Sequence, residues 1–376
     1  MKLAELDTPA ALVDAARMQR NIVRMQSHLD ALGVRFRPHV KTTKCLPVVQ
    51  AQRAAGARGI TVSTLKEAEQ FHAAGIDDIL YAVGMVPAKL PKAAALRRAG
   101  CALKLLVDSV ASAQAVADFG RAQGLRFEVY IEIDCDGHRS GIAPASDTLL
   151  AVGHALHDGG MALAGVLTHA GSSYDLATPA ALQALAEQER HLCVLAAERL
   201  RAAGLPCPEV SVGSTPTALS AQHLEGVTEV RAGVYVFFDL VMANVGVCRS
   251  DDLALSVLTT VIGHQVEKGW VIVDAGWMAM SRDRGTARQA HDYGYGQVCD
   301  VTGRPLHGWL MSGANQEHGI VSHAPAPAAD VAERFPVGTL LRVLPNHACA
   351  TGAQFAEYQV LDAHGRVQRW PRLQGW

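Results

Sequence analysis

The sequence predicts an α/β protein that consists of a parallel (β/α)8 barrel followed by a second, β-rich domain. Two recurring patterns support this prediction. A helix-like stretch, a glycine and a short apolar run alternate through the first part of the chain, and short apolar strands with turn signals alternate after about residue 247. No G-x-G-x-x-G follows an early strand, which weakens the alternative of an open dinucleotide-binding sheet.

The repeating unit ends its helical part with a glycine, where a helix C-cap requires a positive φ, and then continues into a run of strand length. The glycines are Gly56, Gly75, Gly100, Gly124, Gly160 and Gly204. The runs that follow them are predicted strands at 59–62, 79–83, 103–107, 127–131, 163–167 and 210–212. Two further runs, 34–36 and 228–231, bring the total to eight strands, the number that closes a parallel barrel.

The later part of the chain predicts a separate β domain. Its predicted strands are 255–262, 270–274, 339–344 and 358–361. We therefore expect a barrel domain at 14–246 and a C-terminal β domain at 247–376. The segment 1–13 is too short to be a domain and could add a strand to the β domain.

Composition excludes several classes of partner. The net charge of −2 provides no basic field for nucleic acid or anionic lipid. No run reaches the roughly 18 apolar residues of a membrane span, and acidic residues stand where a signal peptide would be apolar. The 8 cysteines form no CxxC pair and are expected to be reduced thiols, with Cys349 as an exception. We expect a cytoplasmic protein that binds neither nucleic acid nor membrane.

Lys41 lies in a run of basic and polar residues, 37–44, that ends the first barrel strand. A lysine at the C-terminal end of a buried strand, beside polar groups, can lose its proton and form a Schiff base with an aldehyde cofactor. Pyridoxal phosphate requires this chemistry. The alternative interpretation is a solvated basic patch in a loop.

Other candidate residues follow the remaining barrel strands, because active sites lie at the C-terminal ends of the strands in this fold. They are Thr64, Asp134–Arg139, Thr168, His169, Ser172, Gly213-Ser214-Thr215, Arg231 and Gly233. The segments 213–215 and 232–234 follow the last two strands, where barrels often hold a phosphate on backbone N–H groups, although either could be a simple turn. Arg139 could face an oxygen anion such as a cofactor phenolate or be a surface arginine. His169 could contact a cofactor or be a core histidine bonded to backbone.

His347 and Cys349 form a second kind of candidate site. On an extended strand, residues two apart face the same way, so both side chains could reach one ion. Two protein ligands leave open positions, which suits a divalent metal, with zinc favoured by the thiolate, that also binds substrate. The alternative is that the pair has no function, as for most isolated H-x-C pairs.

Four segments in this order resemble one enzyme family: 38–42 around Lys41, 136–141 around Arg139, Gly213-Ser214-Thr215, and 345–349 around His347 and Cys349. Together they are similar to the fold-type III pyridoxal phosphate enzymes of the D-serine dehydratase and D-threonine aldolase family, distant relatives of alanine racemase. The resemblance covers essentially the whole chain. It implies a cofactor-carrying barrel, a C-terminal β domain, and a head-to-tail homodimer whose active sites combine the barrel of one subunit with the β domain of the other.

The resemblance also implies roles for individual residues. Lys41 would carry pyridoxal 5'-phosphate, Arg139 would face its phenolic oxygen, and His347 with Cys349 would hold a divalent metal, Zn, Mg, Mn or Co. The implied cofactor-binding residues are Lys41, Arg139, His169, Tyr174, Gly213, Ser214, Thr215, Arg231, Gly233 and Val234. The backbone around Ser214, Thr215, Gly233 and Val234 would hold the phosphate. Arg231 occupies the position from which alanine racemase addresses the pyridine nitrogen, but the aldolases differ there.

The implied activity is that of a dehydratase, an ammonia-lyase acting on a β-hydroxy-D-amino acid. Within the family the resemblance implies D-threo-3-hydroxyaspartate as the expected substrate, converted to oxaloacetate and ammonia, with D-serine as a second substrate. Aldolases of the family read His-x-Asp at the metal pair, and His-x-Cys here favours elimination over retro-aldol cleavage. A racemase would need an opposite-face tyrosine that we do not identify. A cofactor-carrying regulatory protein is the non-enzyme alternative, and the additional C-terminal domain with its metal pair argues against it.

The sequence leaves the preferred β-substituent open. To distinguish a substrate with a β-carboxylate from one with a plain hydroxymethyl group, the protein needs a cationic side chain at the entrance of the substrate-binding site. The candidates are Arg282, Arg284 and His318.

Overall fold

A computed structural model describes residues 2–324 and 326–376. These residues form two compact units. The barrel unit spans Arg24–Gly233 and Leu373–Trp376, and the β unit runs to Val23 and resumes over Val234–Arg372. The domain limits expected from the sequence, 14–246 and 247–376, stay a prediction.

Strands and helices alternate first and strands dominate later. The strands are β1 (Ala10–Asp14), β2 (Arg35–Pro38), β3 (Ile60–Val62), β4 (Asp78–Gly84), β5 (Ala102–Val107), β6 (Glu128–Ile133), β7 (Ala162–Thr168), β8 (Glu209–Val212), β9 (Glu229–Ala232), β10 (Leu255–Gln265), β11 (Trp270–Val273), β12 (Gly296–Cys299), β13 (Pro305–Ala314), β14 (Gly319–His323), β15 (Leu340–Pro345), β16 (Glu357–Leu361) and β17 (Val367–Pro371). The α-helices are α1 (Ala15–Ala31), α2 (Leu46–Ala54), α3 (Leu65–Ala73), α4 (Leu90–Arg98), α5 (Val110–Gln123), α6 (Thr148–Asp158), α7 (Pro179–Ala202), α8 (Thr215–Ser220), α9 (Leu240–Val245), α10 (Trp277–Met280), α11 (Val331–Arg334) and α12 (Ala348–Gly352).

The barrel unit contains an eight-stranded sheet in the order β2-β9-β8-β7-β6-β5-β4-β3, and every pairing in it is parallel. An isolated parallel bridge between His39, just after β2, and Thr61 in β3 joins the two ends of the sheet. The predicted (β/α)8 barrel is therefore confirmed. The six glycines that precede its inner strands all have positive φ, from 60° to 122°, as the repeating unit predicts.

A buried ion-pair network holds the strand that leads to Lys41. Arg37 in β2 donates from Nε to Glu229 of β9 at 2.7 Å and from Nη1 to Asp78 of β4 at 2.9 Å. Asp78 also accepts from Lys104 of β5 at 2.6 Å. Because Arg37 is almost fully buried, two carboxylates are needed to compensate for the loss of water around its charge. The network thereby holds the strand whose end presents Lys41.

The β unit contains a nine-stranded sheet in the order β11-β14-β13-β12-β15-β10-β1-β16-β17. The opening segment supplies β1, which pairs antiparallel with β10 and parallel with β16. Four of its strands, β12, β13, β14 and β17, were not named from the sequence. β13 illustrates the reason, because its pairing shifts register between Met311 and Gly313 and thus interrupts the alternation that marks a strand.

None of the helices in the described part of the chain combines the length and the apolarity needed to cross a membrane.

Candidate active site

Lys41 lies just beyond the end of β2, in a short 3-10 turn over Val40–Thr42. The N–H groups of Thr43 and Lys44 both donate to the carbonyl of Val40, at 3.1 and 2.8 Å, and close this turn. The backbone N–H of Lys41 points toward Nδ1 of His39 at 3.5 Å. The lysine side chain is exposed. The turn therefore presents the amine at the C-terminal end of the barrel strands, as the sequence predicts.

Positive charges converge around two histidines at this end of the barrel. Burial lowers the pKa of His39 well below its ordinary value, and the charges of Lys41 and Arg231 lower it further. Arg139 and His169 belong to the same electrostatic environment. The structure thus brings four predicted residues together, and it adds His39, which belongs to the segment 38–42 but was not predicted as a site residue. A cluster of cations beside neutral imidazoles suits an anionic ligand such as a phosphorylated, phenolate-bearing cofactor.

His169 is neutral and has a defined tautomer. Its Nδ1 lies 3.0 Å from the carbonyl oxygen of Gly213, and because a carbonyl can only accept, Nδ1 carries the proton. Burial lowers the pKa of His169 to about 3, although the bond to Gly213 acts in the opposite direction. The ring of Tyr174 lies 6.2 Å away, centroid to centroid. The hydrogen bond to the Gly213 carbonyl fits the interpretation of His169 as a core histidine. The charges of Lys41, Arg139 and Arg231 also act on His169, so it belongs to the cation cluster as well.

The two arginines of the cluster differ in their surroundings. Arg231 is buried, and it donates from Nη1 to Ser211 Oγ at 2.8 Å and from Nη2 to the Thr168 carbonyl at 2.5 Å. Burial lowers its pKa. Arg139 is exposed in the loop after β6, with Nη2 3.5 Å from Glu132 Oε1. Arg139 is therefore the arginine with donors available to a ligand, whereas both terminal nitrogens of Arg231 are already bonded to protein.

The predicted phosphate loops form a tight cradle with few free donors. Gly213 has φ +133°, and a Cβ on it would lie 2.1 Å from the carbonyl oxygen of Arg231. Its N–H donates to Glu189 at 3.0 Å, and the N–H of Ser214 donates to Thr217 Oγ1 at 3.0 Å. These two donors are therefore occupied within the protein.

The remaining donors lie after β9. A Cβ on Gly233 would lie 3.0 Å from the His39 carbonyl oxygen, a tighter contact than most side chains make, so glycine keeps this backbone uncrowded. Within 2–324 and 326–376, no backbone carbonyl accepts from the N–H of Gly233 or of Val234. These two groups are the donors from which a phosphate could accept, and the residues present fit the cofactor.

Glu189 is a site residue that the sequence analysis missed. This buried carboxylate on α7 accepts at Oε1 from the N–H of Ala170 at 2.9 Å and from the N–H of Gly213 at 3.0 Å. It thereby ties together the loops that follow β7 and β8. Burial raises its pKa. Nothing in the sequence near Glu189 distinguishes it from other acids of a long helix.

His347 and Cys349 lie in a helix start and not on an extended strand, so that part of the prediction is wrong. β15 ends at Pro345, and α12 begins at Ala348. The helix starts here because Oδ2 of Asp239 accepts the N–H of Ala348 at 2.9 Å, which satisfies an otherwise unpaired amide. The side chains of His347 and Cys349 nevertheless share a hydrogen bond, so the turn brings the pair together.

Negative charge surrounds His347. Oδ2 of Asp283 lies 2.6 Å from its Nδ1. Burial lowers the pKa of His347, but the charge of Cys349 and the bond to Asp283 outweigh this effect and raise that pKa to about 11. Cys349 and Asp283 together stabilise a protonated His347 ring. The same surroundings fit a divalent cation, which would take the place of a proton on that ring.

Ligand number at this site is low. No group of three or more His, Cys, Asp or Glu residues within 2–324 and 326–376 is arranged as a metal-binding cluster. His347 and Cys349 supply two protein ligands, so an ion held by them would keep positions for water or substrate.

Comparisons with known proteins agree with this architecture. Residues 13–241 match the alanine racemase N-terminal domain, and residues 254–361 match a putative serine dehydratase domain. The chain is 72% identical over 377 residues to D-threo-3-hydroxyaspartate dehydratase of Delftia sp. (strain HT23). The alignment covers 100% of this chain and 99% of that protein. A D-threonine aldolase of Arthrobacter sp is 29% identical over 355 residues, 93% of this chain and 87% of the aldolase.

Solved structures of the Delftia dehydratase share the fold of the whole chain. The structure of the enzyme from strain HT23 and that of a cysteine-to-alanine variant in the metal-free form each have a TM-score of 0.99 at 71% identity, with 100% of both chains covered. The resemblance seen in the sequence is confirmed. The chain belongs to the family in which an alanine racemase N-terminal domain is joined to a serine dehydratase domain.

Proposed function

We propose that the chain is a pyridoxal 5'-phosphate- and divalent-metal-dependent dehydratase that converts D-threo-3-hydroxyaspartate to oxaloacetate and ammonia, with D-serine as a second substrate. The observation that carries this proposal is 72% identity over the full chain to a D-threo-3-hydroxyaspartate dehydratase. The cation cluster around Lys41 and the thiolate-imidazole pair supply the two sets of groups that this chemistry needs.

The barrel residues would bind the cofactor and move one proton. Lys41 would hold the cofactor, and its amine, once displaced by the substrate, would take the proton from Cα. Arg139 would face the phenolic oxygen, and the Gly233 and Val234 N–H groups would bind the phosphate. When bound, the cofactor would acidify the Cα–H bond by withdrawing electrons from it.

His347 and Cys349 would hold the metal beside the substrate β-hydroxyl. When bound, the ion would act as a Lewis acid and make hydroxide a better leaving group. Asp283 would keep the His347 ring in one orientation by binding Nδ1, which leaves Nε2 for the ion. The metal-free form of a cysteine variant of the Delftia dehydratase supports a cysteine-dependent metal site in that protein.

The proposal includes two features of the assembled protein. One is a homodimer whose active sites combine the barrel of one subunit with the β domain of its partner, which the family resemblance supports. The other is a cytoplasmic location. The eight cysteines are thiols and not disulfides, which supports a reducing compartment.

Retro-aldol cleavage is the second candidate, because a D-threonine aldolase is a relative at 29% identity. Cys349 stands where the family aldolases read Asp, which favours elimination. Product analysis with D-threo-3-hydroxyaspartate, D-serine and D-threonine distinguishes the two. Ammonia with an oxo acid supports the dehydratase, whereas glycine with glyoxylate or an aldehyde supports the aldolase. If no product forms from any of the three with the loaded protein, the proposed activity is wrong.

A further inference from the structure

The group that recognises the substrate β-carboxylate must lie beside the metal pair. In D-threo-3-hydroxyaspartate, the hydroxyl and the carboxylate are attached to the same carbon, Cβ. If the hydroxyl oxygen lies on an ion held by His347 and Cys349, the carboxylate can reach only side chains next to that pair. This inference therefore rests on the proposed function.

The loop from Met280 to Thr286 is held against the metal pair. The hydroxyl of Thr351 donates to the Met280 carbonyl at 2.7 Å, and the side-chain amide of Asn346 donates to the Asp283 carbonyl at 3.3 Å. The Asp283 carboxylate itself contacts His347. These bonds come from residues on both sides of His347, so they fix the loop where a β-carboxylate would lie.

The backbone of this loop is strained. Ser281 is buried and adopts φ +71°, a conformation that residues other than glycine rarely adopt. Its hydroxyl accepts the N–H of Asp283 at 3.2 Å. A strained conformation of this kind persists only where the surroundings enforce it. Arg282 lies between Ser281 and Asp283, so the surrounding structure determines the direction in which its side chain leaves the backbone.

Arg282 and Arg284 lie two residues apart but differ in their partners. The Arg282 guanidinium lies 4.8 Å from the ring centroid of Trp277, and within the described ranges it makes no ion pair or hydrogen bond. Arg284 pairs with Asp292 at 2.9 Å and lies over Tyr295. Arg282 therefore keeps donors of its guanidinium available, and the contact with the Trp277 ring helps to hold the group in place.

We infer that Arg282 recognises the β-carboxylate of the substrate and sets the preference for a dicarboxylic substrate over D-serine. A guanidinium can bind a carboxylate through two parallel hydrogen bonds, a geometry that lysine or histidine does not offer. Arg284 is neutralised by Asp292 and does not take part. His318 lies outside this loop, between β13 and β14, and does not take part either.

The test compares Arg282→Gln with its matched control, Arg284→Gln. We expect Arg282→Gln to lower kcat/KM for D-threo-3-hydroxyaspartate by about 10- to 100-fold. The kcat/KM for D-serine should change by less than about threefold, because only the first substrate has a β-carboxylate. Arg282→Lys should fall between Arg282→Gln and the parent, since it keeps the charge and loses the paired donors. Arg284→Gln should leave the ratio of the two substrates unchanged.

A binding measurement separates this inference from the proposed activity. D-Aspartate and D-alanine both lack a β-hydroxyl, and only D-aspartate has a β-carboxylate. Calorimetric titration of the holoenzyme with each of them therefore reports recognition of that group without elimination. Arg282→Gln should weaken the binding of D-aspartate but not of D-alanine. This result is expected even if product analysis shows that the protein is not a dehydratase. The inference is wrong if Arg282→Gln weakens both ligands equally or neither, or if Arg284→Gln changes the preference as much.

Discussion

Oδ2 of Asp283 lies 2.6 Å from Nδ1 of His347, and the hydrogen bond holds the imidazole in one orientation. The two residues are 64 positions apart in the chain. A carboxylate on one nitrogen fixes which nitrogen remains for a metal and makes the ligand more basic.

We predict that Asp283→Asn weakens zinc binding by about 10- to 100-fold, because the ring loses its negatively charged partner. Competition against a fluorescent chelator measures the affinity directly and does not depend on turnover. Asp292→Asn is the matched control, since that acid pairs with Arg284 and not with His347. Equal zinc affinity in Asp283→Asn and the parent would show that the bond does not support a metal site.

Reduction with borohydride should attach the cofactor to Lys41 and not to Lys44. Lys41 lies in the turn after β2, among the other cations of the cluster, whereas the amine of Lys44 is paired with Glu67 at 3.1 Å. The purified protein should be yellow and should lose its colour on reduction. Peptide mapping by mass spectrometry then locates the pyridoxyl group, and a label on Lys44 would contradict the assignment.

Removal of the metal should abolish elimination and spare cofactor binding. Chelation, or Cys349→Ala, removes a ligand set that lies in the β unit, while Lys41 and Arg139 lie in the barrel unit. We expect an unchanged cofactor absorbance and a loss of at least a few hundredfold in ammonia release, the effect of one Lewis-acid interaction of several kcal/mol. Nearly full turnover after verified metal loss would mean that the ion is structural or absent.

A shared active site predicts complementation between two inactive chains. Lys41→Ala removes the cofactor lysine and His347→Ala removes a metal ligand. In a mixed dimer with sites built from both subunits, one site would keep both residues. Co-expression with two different tags, followed by purification of mixed dimers, should restore part of the activity. An inactive mixed dimer would instead indicate that each site is built within one chain.

The neutral state of His169 predicts a pH dependence of stability. Its folded-state pKa of about 3 lies below the ordinary value of about 6.5, so folding favours the neutral ring. The resulting stability is complete above about pH 6.5 and is lost as the pH falls toward the folded-state pKa, with a slope of at most about 1.4 kcal/mol per pH unit.

Denaturant unfolding of the parent and of His169→Gln at pH 7.5 and at pH 5.0 tests this dependence. The parent should lose more free energy of unfolding between the two values than the variant does. His39 contributes in the same direction and remains in both proteins, so the variant keeps part of the loss. An equal loss in the two proteins would contradict a neutral, buried His169.

The sequence by itself determined the barrel and the position of Lys41. Each helix-to-strand unit is marked locally, by a glycine that can adopt positive φ and by an apolar run of strand length. The turn that carries Lys41 follows the first of these strands directly. The sequence also identified His347 and Cys349 as a pair, and it was wrong about their geometry. A capping bond from Asp239, 109 positions away from Ala348, starts a helix where the pattern indicates a strand.

Only the tertiary structure decided which side chains support these groups. Glu189 reaches Ala170 and Gly213 across 19 and 24 positions, and Asp283 reaches His347 across 64. The proposal that Arg282 and not Arg284 binds the substrate also depends on the structure, because it rests on the pairing of Arg284 with Asp292. Local periodicity reports which face of an element is buried, but it does not report which distant element packs against that face. The elements follow from short-range patterns, and the partners of each polar group follow from the way the strands and loops pack together.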